Sequence, residues 1–394
     1  MQQIDRSLHL TRQTYLRAEA SDLADFAALC EQPTDRADYP LAADLVKGVL
    51  IYDCGALTQR LTDPGFAEML MAEWADAFAN GPGVIVLQGA EPDHTILDRA
   101  SDIFRDLIDQ QNRSGTGGGD HFAKPGANDR LWNSLEKHCL ADPANFARYY
   151  ANPFLALVSQ AWLGPYYQMT AQLNVVNPGG AAQSPHRDYH LGFQSADAVA
   201  RYPRHVHLMS PMLTLQGAIA HVDAPLESGP TLLLPNSQKY APGYIATARP
   251  DFRAYFEANC VQLPLAKGDM LFFSPALFHA AGTNRSTDIK RMVNLFQVSS
   301  AYGRAMESIN RTAMVKALFP ALLAATDLTE QQIANAIAAT AEGYSFPTNL
   351  DRDPPLGGLA PKSQAALVHE AVTAAWTPEQ LAAALDAQAA KRLP

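Results

Sequence analysis

The sequence predicts an α+β protein: a β-rich centre at residues 166–300 set between a helical N-terminal part, 1–165, and a helical C-terminal extension, 301–394. Three observations predict it. Before residue 166 apolar side chains recur at helical spacing, as in Phe66, Leu70, Met71, Trp74 and Phe78. From Tyr167 onward, short apolar runs are separated by Gly, Pro and Asp turns, the texture of a sandwich or barrel. After Arg311 the chain becomes alanine-rich, and Thr329 and Thr377 are each followed three residues later by a glutamine, the pattern of a capped helix start. Residues 1–300 then read as one domain, with 301–394 packed on its core.

Taken in order, 49–52 reads as a short strand, and Pro64-Gly65 opens a helix that Gly81-Pro82-Gly83 ends. The run 84–87 is apolar and bounded by turns, as a buried strand is. A helix starts at Asp93 or His94 and leads to Ser114-Gly115-Thr116-Gly117-Gly118-Gly119, which lacks the lysine and flanking strand of a phosphate-binding loop. Residues 114–122 read equally as a surface loop or as a lid that orders over substrate. Strands are expected at 169–176, 213–221, 231–234, 261–265, 270–273 and 292–298, the fourth demoted to an edge or bulged strand by Pro264. Helices are expected at 313–325, with a break at Pro320, and at 329–341, 364–375 and 377–390.

Apolar residues at 47% and charged residues at 18% describe a chain able to bury a core, not a disordered one. A formal net charge of −10 argues against nucleic acid or an anionic membrane as partner. No run approaches the ~18 apolar residues a membrane span needs, and the first residues carry no signal-peptide pattern. Cys30, Cys54, Cys139 and Cys260 form no Cys-x-x-Cys pair, so free thiols in the cytoplasm are expected rather than a zinc site or a redox dithiol. The partner this composition leaves is a small-molecule substrate. It carries no signature of an oligomeric state.

The chemistry-bearing stretch is Ser184-Pro185-His186-Arg187-Asp188-Tyr189-His190, answered about ninety residues later by Phe278-His279-Ala280. In an extended segment His186 and Asp188 point to one face. Pro185 pushes Ser184 toward that extended form. With His279 they make two nitrogens and one oxygen, a set that suits non-haem Fe(II) with open positions. His190 shares their parity and faces substrate or solvent. His205-Val206-His207 imitates a cupin pair if extended, but no matching half-site follows it.

These motifs, with Glu227-Ser228-Gly229-Pro230-Thr231 through Asn236-Ser237-Gln238 between them and Gly282, Asn284 and Arg291 after them, resemble the phytanoyl-CoA dioxygenase family of Fe(II)/2-oxoglutarate-dependent oxygenases over roughly residues 82–300. Two departures are visible. Asn236-Ser237-Gln238 stands where the family has Gly-Ser-His, and the spacing from His279 to the arginine is one residue longer. The resemblance implies a double-stranded β-helix (jelly roll) core. It implies His186, Asp188 and His279 as iron ligands, with 2-oxoglutarate and O2 as cosubstrates. It also implies hydroxylation of a C–H bond in a small metabolite, with release of succinate and CO2. The carboxylate of Asp188 favours hydroxylation, or a desaturation by the same oxidant, because related halogenases lack it. Gln172, Asn174 and Thr231 are carried over as neutral donors to the cosubstrate. Lys124, Arg130, Trp132, Arg187 and Tyr189 are candidate substrate contacts near the loop or the metal segment.

The far carboxylate of 2-oxoglutarate needs a buried cation, and the planar fork of arginine suits it. Arg285, Lys290 and Arg291 all follow His279. If 279 and 291 face each other across a hairpin with its tip near 285, Arg291 shares the face of His279, Lys290 turns away and Arg285 sits in solvent. Two rivals remain: a cupin-like metalloenzyme that does not use 2-oxoglutarate, and a ligand-binding pseudo-oxygenase.

Overall fold

The computed structural model describes residues 2–114 and 127–394. Ten strands are assigned: β1 (Asp44–Val46), β2 (Val49–Asp53), β3 (Val84–Gln88), β4 (Asn128–Leu131), β5 (Gln168–Val176), β6 (Thr214–Ala220), β7 (Leu232–Leu234), β8 (Met270–Phe273), β9 (Phe278–Ala280) and β10 (Arg291–Ser299). Eight of them form one sheet in the order β1-β2-β3-β8-β6-β10-β5-β4, and β7 and β9 form a second.

The small sheet is wider than its two strands. His186 bridges to His279, and Leu233 bridges to Val261, so the segment order is 186, 279, 233, 261. Along the chain, β5, β6, β8 and β10 lie in the large sheet, and the segments at 186, 233, 261 and 279 lie in the small one. That distribution over two sheets is the double-stranded β-helix the family resemblance implies. The run at 261–265 forms no continuous strand. Its ends make bridges, Val261 to Leu233 and Leu265 to Ala224, while Pro264 between them has no N–H to donate.

By contact pattern the chain divides into two compact units. The first takes the described residues of Met1–Ala90, Gly118–Arg130 and Asn174–Leu295, and the second those of Glu91–Gly117, Leu131–Leu173 and Phe296–Pro394. In the first unit, alternation along the strands sorts side chains into two layers. Leu233, Ala220, Leu271 and Phe273 pack with Val49, Ile51, Val84 and Val86 in one cluster. Leu234, Phe278 and Ala280, one residue out of phase, pack with Phe26, Phe252 and Phe256. The small sheet is therefore apolar on both faces, and its one buried imidazole, His279, shares the face of Leu233.

The second unit is chiefly helical. Helix Arg311–Ala324 continues through Pro320 rather than breaking there. Pro320 lies on the exposed side, where water can satisfy the carbonyl left without its usual donor. Helices Glu330–Thr340 and Pro378–Arg392 begin with the expected capping boxes at Thr329 and Thr377. Arg311 is buried and gathers the unit by donating to the carbonyls of Met169, Ala339 and Thr340, with Glu342 as its ion partner. No described helix is long and apolar enough to cross a membrane.

Candidate active site

His186 and His279 are placed side by side by the backbone itself. The N–H of each donates to the carbonyl of the other, at 3.0 and 3.2 Å, the reciprocal pairing of an antiparallel ladder. Both side chains then leave the same face, and their ring centroids lie 4.5 Å apart. The N–H of Asp188 donates to the Pro275 carbonyl at 3.0 Å, which continues the extended path by two residues. There the strand stops: Tyr189 and His190 have φ of 61° and 34°, left-handed conformations that turn the chain away.

The three side chains converge. Ligating atoms of His186, Asp188 and His279 all lie within 4.8 Å of one another. Asp188 Oδ1 is 3.5 Å from His186 Nε2, and Oδ2 is 3.3 Å from His279 Nε2. The far nitrogen of each ring is tied down: His186 Nδ1 lies 2.8 Å from the Ser184 carbonyl, and His279 Nδ1 lies 2.9 Å from that of Leu277. A carbonyl only accepts, so each Nδ1 carries a proton, and each Nε2 is the ring atom turned toward Asp188. Fixing the outer nitrogen in this way is how metal-binding imidazoles are oriented. Burial pushes the Asp188 carboxyl up, but His186, His279 and the Gln216 amide outweigh it and hold the group well below the usual carboxylate range. Two imidazole Nε2 atoms and a carboxylate gathered in this way form a donor set for a divalent metal with open positions.

Arg291 is buried, and burial brings its guanidinium down to about 10. Its Nη1 lies 3.4 Å from the Ser228 carbonyl, and among the described residues no carboxylate pairs with it. A buried cation of this kind calls for an anion. Lys290 and Arg285 are exposed, as expected, but the route to Arg291 differs from the expected hairpin. β9 pairs with β7 and the 186 segment, whereas β10 lies in the large sheet, so 279 and 291 do not face each other across a ladder. The link between them is a crossover. Asn284 anchors it by donating to the carbonyls of Val176 and Ile289.

The other predicted residues fall in varied places. Asn174 is buried on β5, and its Oδ1 has no partner among the described residues. Thr231 is half-buried just before β7. In the second unit Gln172 is buried and donates to Gln297 at 2.9 Å. Arg130 ends its part of β4 half-buried, and Trp132, also half-buried, follows that strand. Lys124 and the glycine stretch at 115–119 lie outside the described residues. Tyr189 is buried at the left-handed turn after Asp188. His190 bonds Ser210. His205 and His207 lie on helix Arg204–Met209, not on a strand, and buried His207 contacts the Val199 carbonyl.

Arg187 corrects its expected role. One residue out of phase with His186 and Asp188, it points to the other face of the strand. There it donates to the Ser237 and Tyr240 carbonyls and lies over the rings of Tyr244 and Phe278. Gly243 makes room for it, since a Cβ at that position would stand 1.9 Å from the guanidinium carbon. A side chain so enclosed supports the fold and is not open to substrate.

Two neighbours of the cluster were not anticipated. Phe273 packs against His279 with ring centroids 4.7 Å apart and the planes tilted by 58°. Gln216 donates to Asp188 Oδ2. Its signal was in the sequence: one long amide in the apolar run Leu215-Gln216-Gly217-Ala218-Ile219.

A family model described as phytanoyl-CoA dioxygenase matches residues 64–292. Among curated proteins, the iron/alpha-ketoglutarate-dependent dioxygenase ausU of Aspergillus calidoustus is 30% identical over 141 residues, 35% of this chain and 41% of that protein. The match thus spans about two fifths of that relative's length. Among solved structures, the non-heme alpha ketoglutarate dependent epimerase SnoN from nogalamycin biosynthesis aligns over 61% of this chain and 82% of its own, at 18% identity and a TM-score of 0.40. AviO1 from Streptomyces viridochromogenes Tue57 aligns over 60% and 97%, at 18% identity and a TM-score of 0.42. With more than half of its length matched, the chain belongs to the phytanoyl-CoA dioxygenase family, whose cofactors are iron and 2-oxoglutarate.

Proposed function

We propose that this chain is an Fe(II)/2-oxoglutarate-dependent dioxygenase that hydroxylates a C–H bond of a small organic molecule and releases succinate and CO2. The observation that carries the reading is the His186–Asp188–His279 cluster, with both outer imidazole nitrogens tied to carbonyls and both inner ones turned toward the Asp188 carboxylate. In it His186, Asp188 and His279 hold the iron. Arg291 receives the far carboxylate of 2-oxoglutarate by a charge-assisted bond. Asn174 and Thr231 stand as neutral partners. Iron with 2-oxoglutarate supplies the oxidising chemistry. The protein's own part is orientation and exclusion of water: the imidazole of His279 is walled by Phe273 and Leu233, both buried.

The test is succinate release over a panel of small metabolites, with iron or 2-oxoglutarate left out in turn. The expected result is substrate-stimulated succinate that needs both, and its loss in His186→Ala, Asp188→Ala and His279→Ala. Turnover that proceeds without 2-oxoglutarate would place the chain with metalloenzymes of the cupin kind.

A further inference from the structure

Gln216 stands opposite Phe273 in the ladder between β6 and β8. The two side chains share a face, and each reaches one member of the cluster: Phe273 touches His279, and Gln216 touches Asp188. The amide can be oriented without ambiguity. An ionised carboxylate only accepts, so the NH2 end of Gln216 must face Asp188 Oδ2 and the carbonyl end must face away. That carbonyl, Oε1, is buried and has no partner among the described residues. The residue is buried within an otherwise apolar strand, where an amide is unfavourable unless its bond does something an apolar side chain could not.

We propose that Gln216 is the positioning residue for the metal-binding carboxylate: its amide holds Oδ2 of Asp188, which fixes the rotamer and presents Oδ1 to the metal beside His186 Nε2. The inference rests on the assignment of Asp188 as an iron ligand. Asp188 has two soft side-chain torsions, and its backbone stops being extended one residue later. Without Gln216 the carboxylate can rotate to offer either oxygen, or both, and the metal then meets a variable ligand. Outer partners of ligating carboxylates typically change metal affinity by 10- to 100-fold.

The experiment uses the full-length protein with Co(II) as an anaerobic probe, read by calorimetry and by the visible ligand-field spectrum, in wild type, Gln216→Met and Gln216→Asn. Met keeps the length and loses the donor, and Asn keeps the donor but falls one carbon short. Thermal unfolding of each variant accompanies the titration, so that a variant that does not fold is set aside for the other. Both variants are expected to bind Co(II) about 10- to 100-fold more weakly, with altered ligand-field bands and little change in melting temperature. Wild-type affinity and spectrum in a folded variant overturn the inference, because a merely structural glutamine would lower the melting temperature and leave the metal spectrum alone. If wild type itself binds no Co(II), the assignment of the metal ligands fails instead.

Discussion

At the scale of single residues, two buried arginines, Arg291 and Arg187, have roles set by their partners. Arg291 is buried with one long contact to a carbonyl and no carboxylate counterpart among the described residues, so it is suited to an incoming anion. Losing one partner of a buried charge pair costs on the order of 2–5 kcal/mol. Arg291→Ala is therefore expected to weaken 2-oxoglutarate binding roughly 30-fold to a few thousand-fold, with Lys290→Ala and Arg285→Ala near wild type. Cosubstrate titration of the three variants checks this, and a large loss in Lys290→Ala would move the role to Lys290. Arg187 is the opposite case, with both its hydrogen bonds going to protein carbonyls. Both carbonyls keep a backbone donor, Tyr240 N–H for Ser237 and Gly243 N–H for Tyr240, so Arg187→Met removes the two charge-assisted bonds and the ring contacts and is expected to lower stability by about 1–3 kcal/mol. Iron affinity in the folded protein is expected to stay within about threefold of wild type, since the side chain lies on the other face. A raised substrate KM at unchanged melting temperature would restore it to the substrate site. Period-two alternation was enough to put His186 and Asp188 on one face, while His279 came from the order of the motifs that follow them. Alternation also held the correct information on Arg187, which is out of phase with its two neighbours.

At the scale of elements, some of the chain was legible because the local rule is strong, and some was not because partners are chosen over long range. The capping boxes at Thr329 and Thr377 depend on four consecutive residues and stand as expected. The pairing of β9 depends on which distant strand lies beside it. The stretch from 279 to 291 looks like a hairpin in sequence, yet its ends join different sheets. Arg291 is nevertheless the buried member of the three cations, because alternation within β10 does not depend on its pairing partner. Among the helices, His138 was not singled out at all, since a lone histidine in a helix carries no pattern. It is fully buried among Phe104, Phe146, Tyr149 and Tyr150. Its Nε2 bonds Asn145 Oδ1 at 2.8 Å, and its Nδ1 has no partner among the described residues. Burial lowers its pKa from 6.5 to about 4. The unfolded chain therefore takes up a proton below about pH 6.5 that the folded chain refuses until about pH 4, so stability falls as pH drops through that window. At pH 4.5 the loss assigned to His138 is roughly 2–3 kcal/mol. Denaturant unfolding at pH 7 and at pH 4.5 should show that much less acid sensitivity in His138→Gln than in wild type. Equal sensitivity would mean that the buried imidazole finds an acceptor when it is protonated.

At the scale of the whole molecule, a sandwich or barrel was legible because turn residues punctuate the strands, and the jelly roll came from the family resemblance. Leu215 and Ile219, like Leu271 and Phe273, fill β6 and β8 with apolar side chains that leave little choice but a buried sheet. The charge balance acts at the same scale. The chain carries a formal net charge of −10 at neutral pH, and the cosubstrate proposed for it is a dianion. At low ionic strength the summed field reaches far, with a Debye length of about 30 Å at 0.01 M against about 10 Å at 0.1 M. A net negative field lowers the local concentration of an approaching anion. Added salt screens that long-range repulsion first, while a buried contact such as the one assigned to Arg291 is screened much less. The expected outcome is that kcat/KM for 2-oxoglutarate rises by about twofold as salt goes from about 10 mM to about 100 mM, before high salt weakens the contact itself. Initial rates across that range, with the other substrate saturating, make the measurement. A steady fall from the lowest salt upward would show that the cosubstrate meets a positive local field set by groups near the mouth of the site. In that case the net charge of the chain would have no say in how the anion arrives.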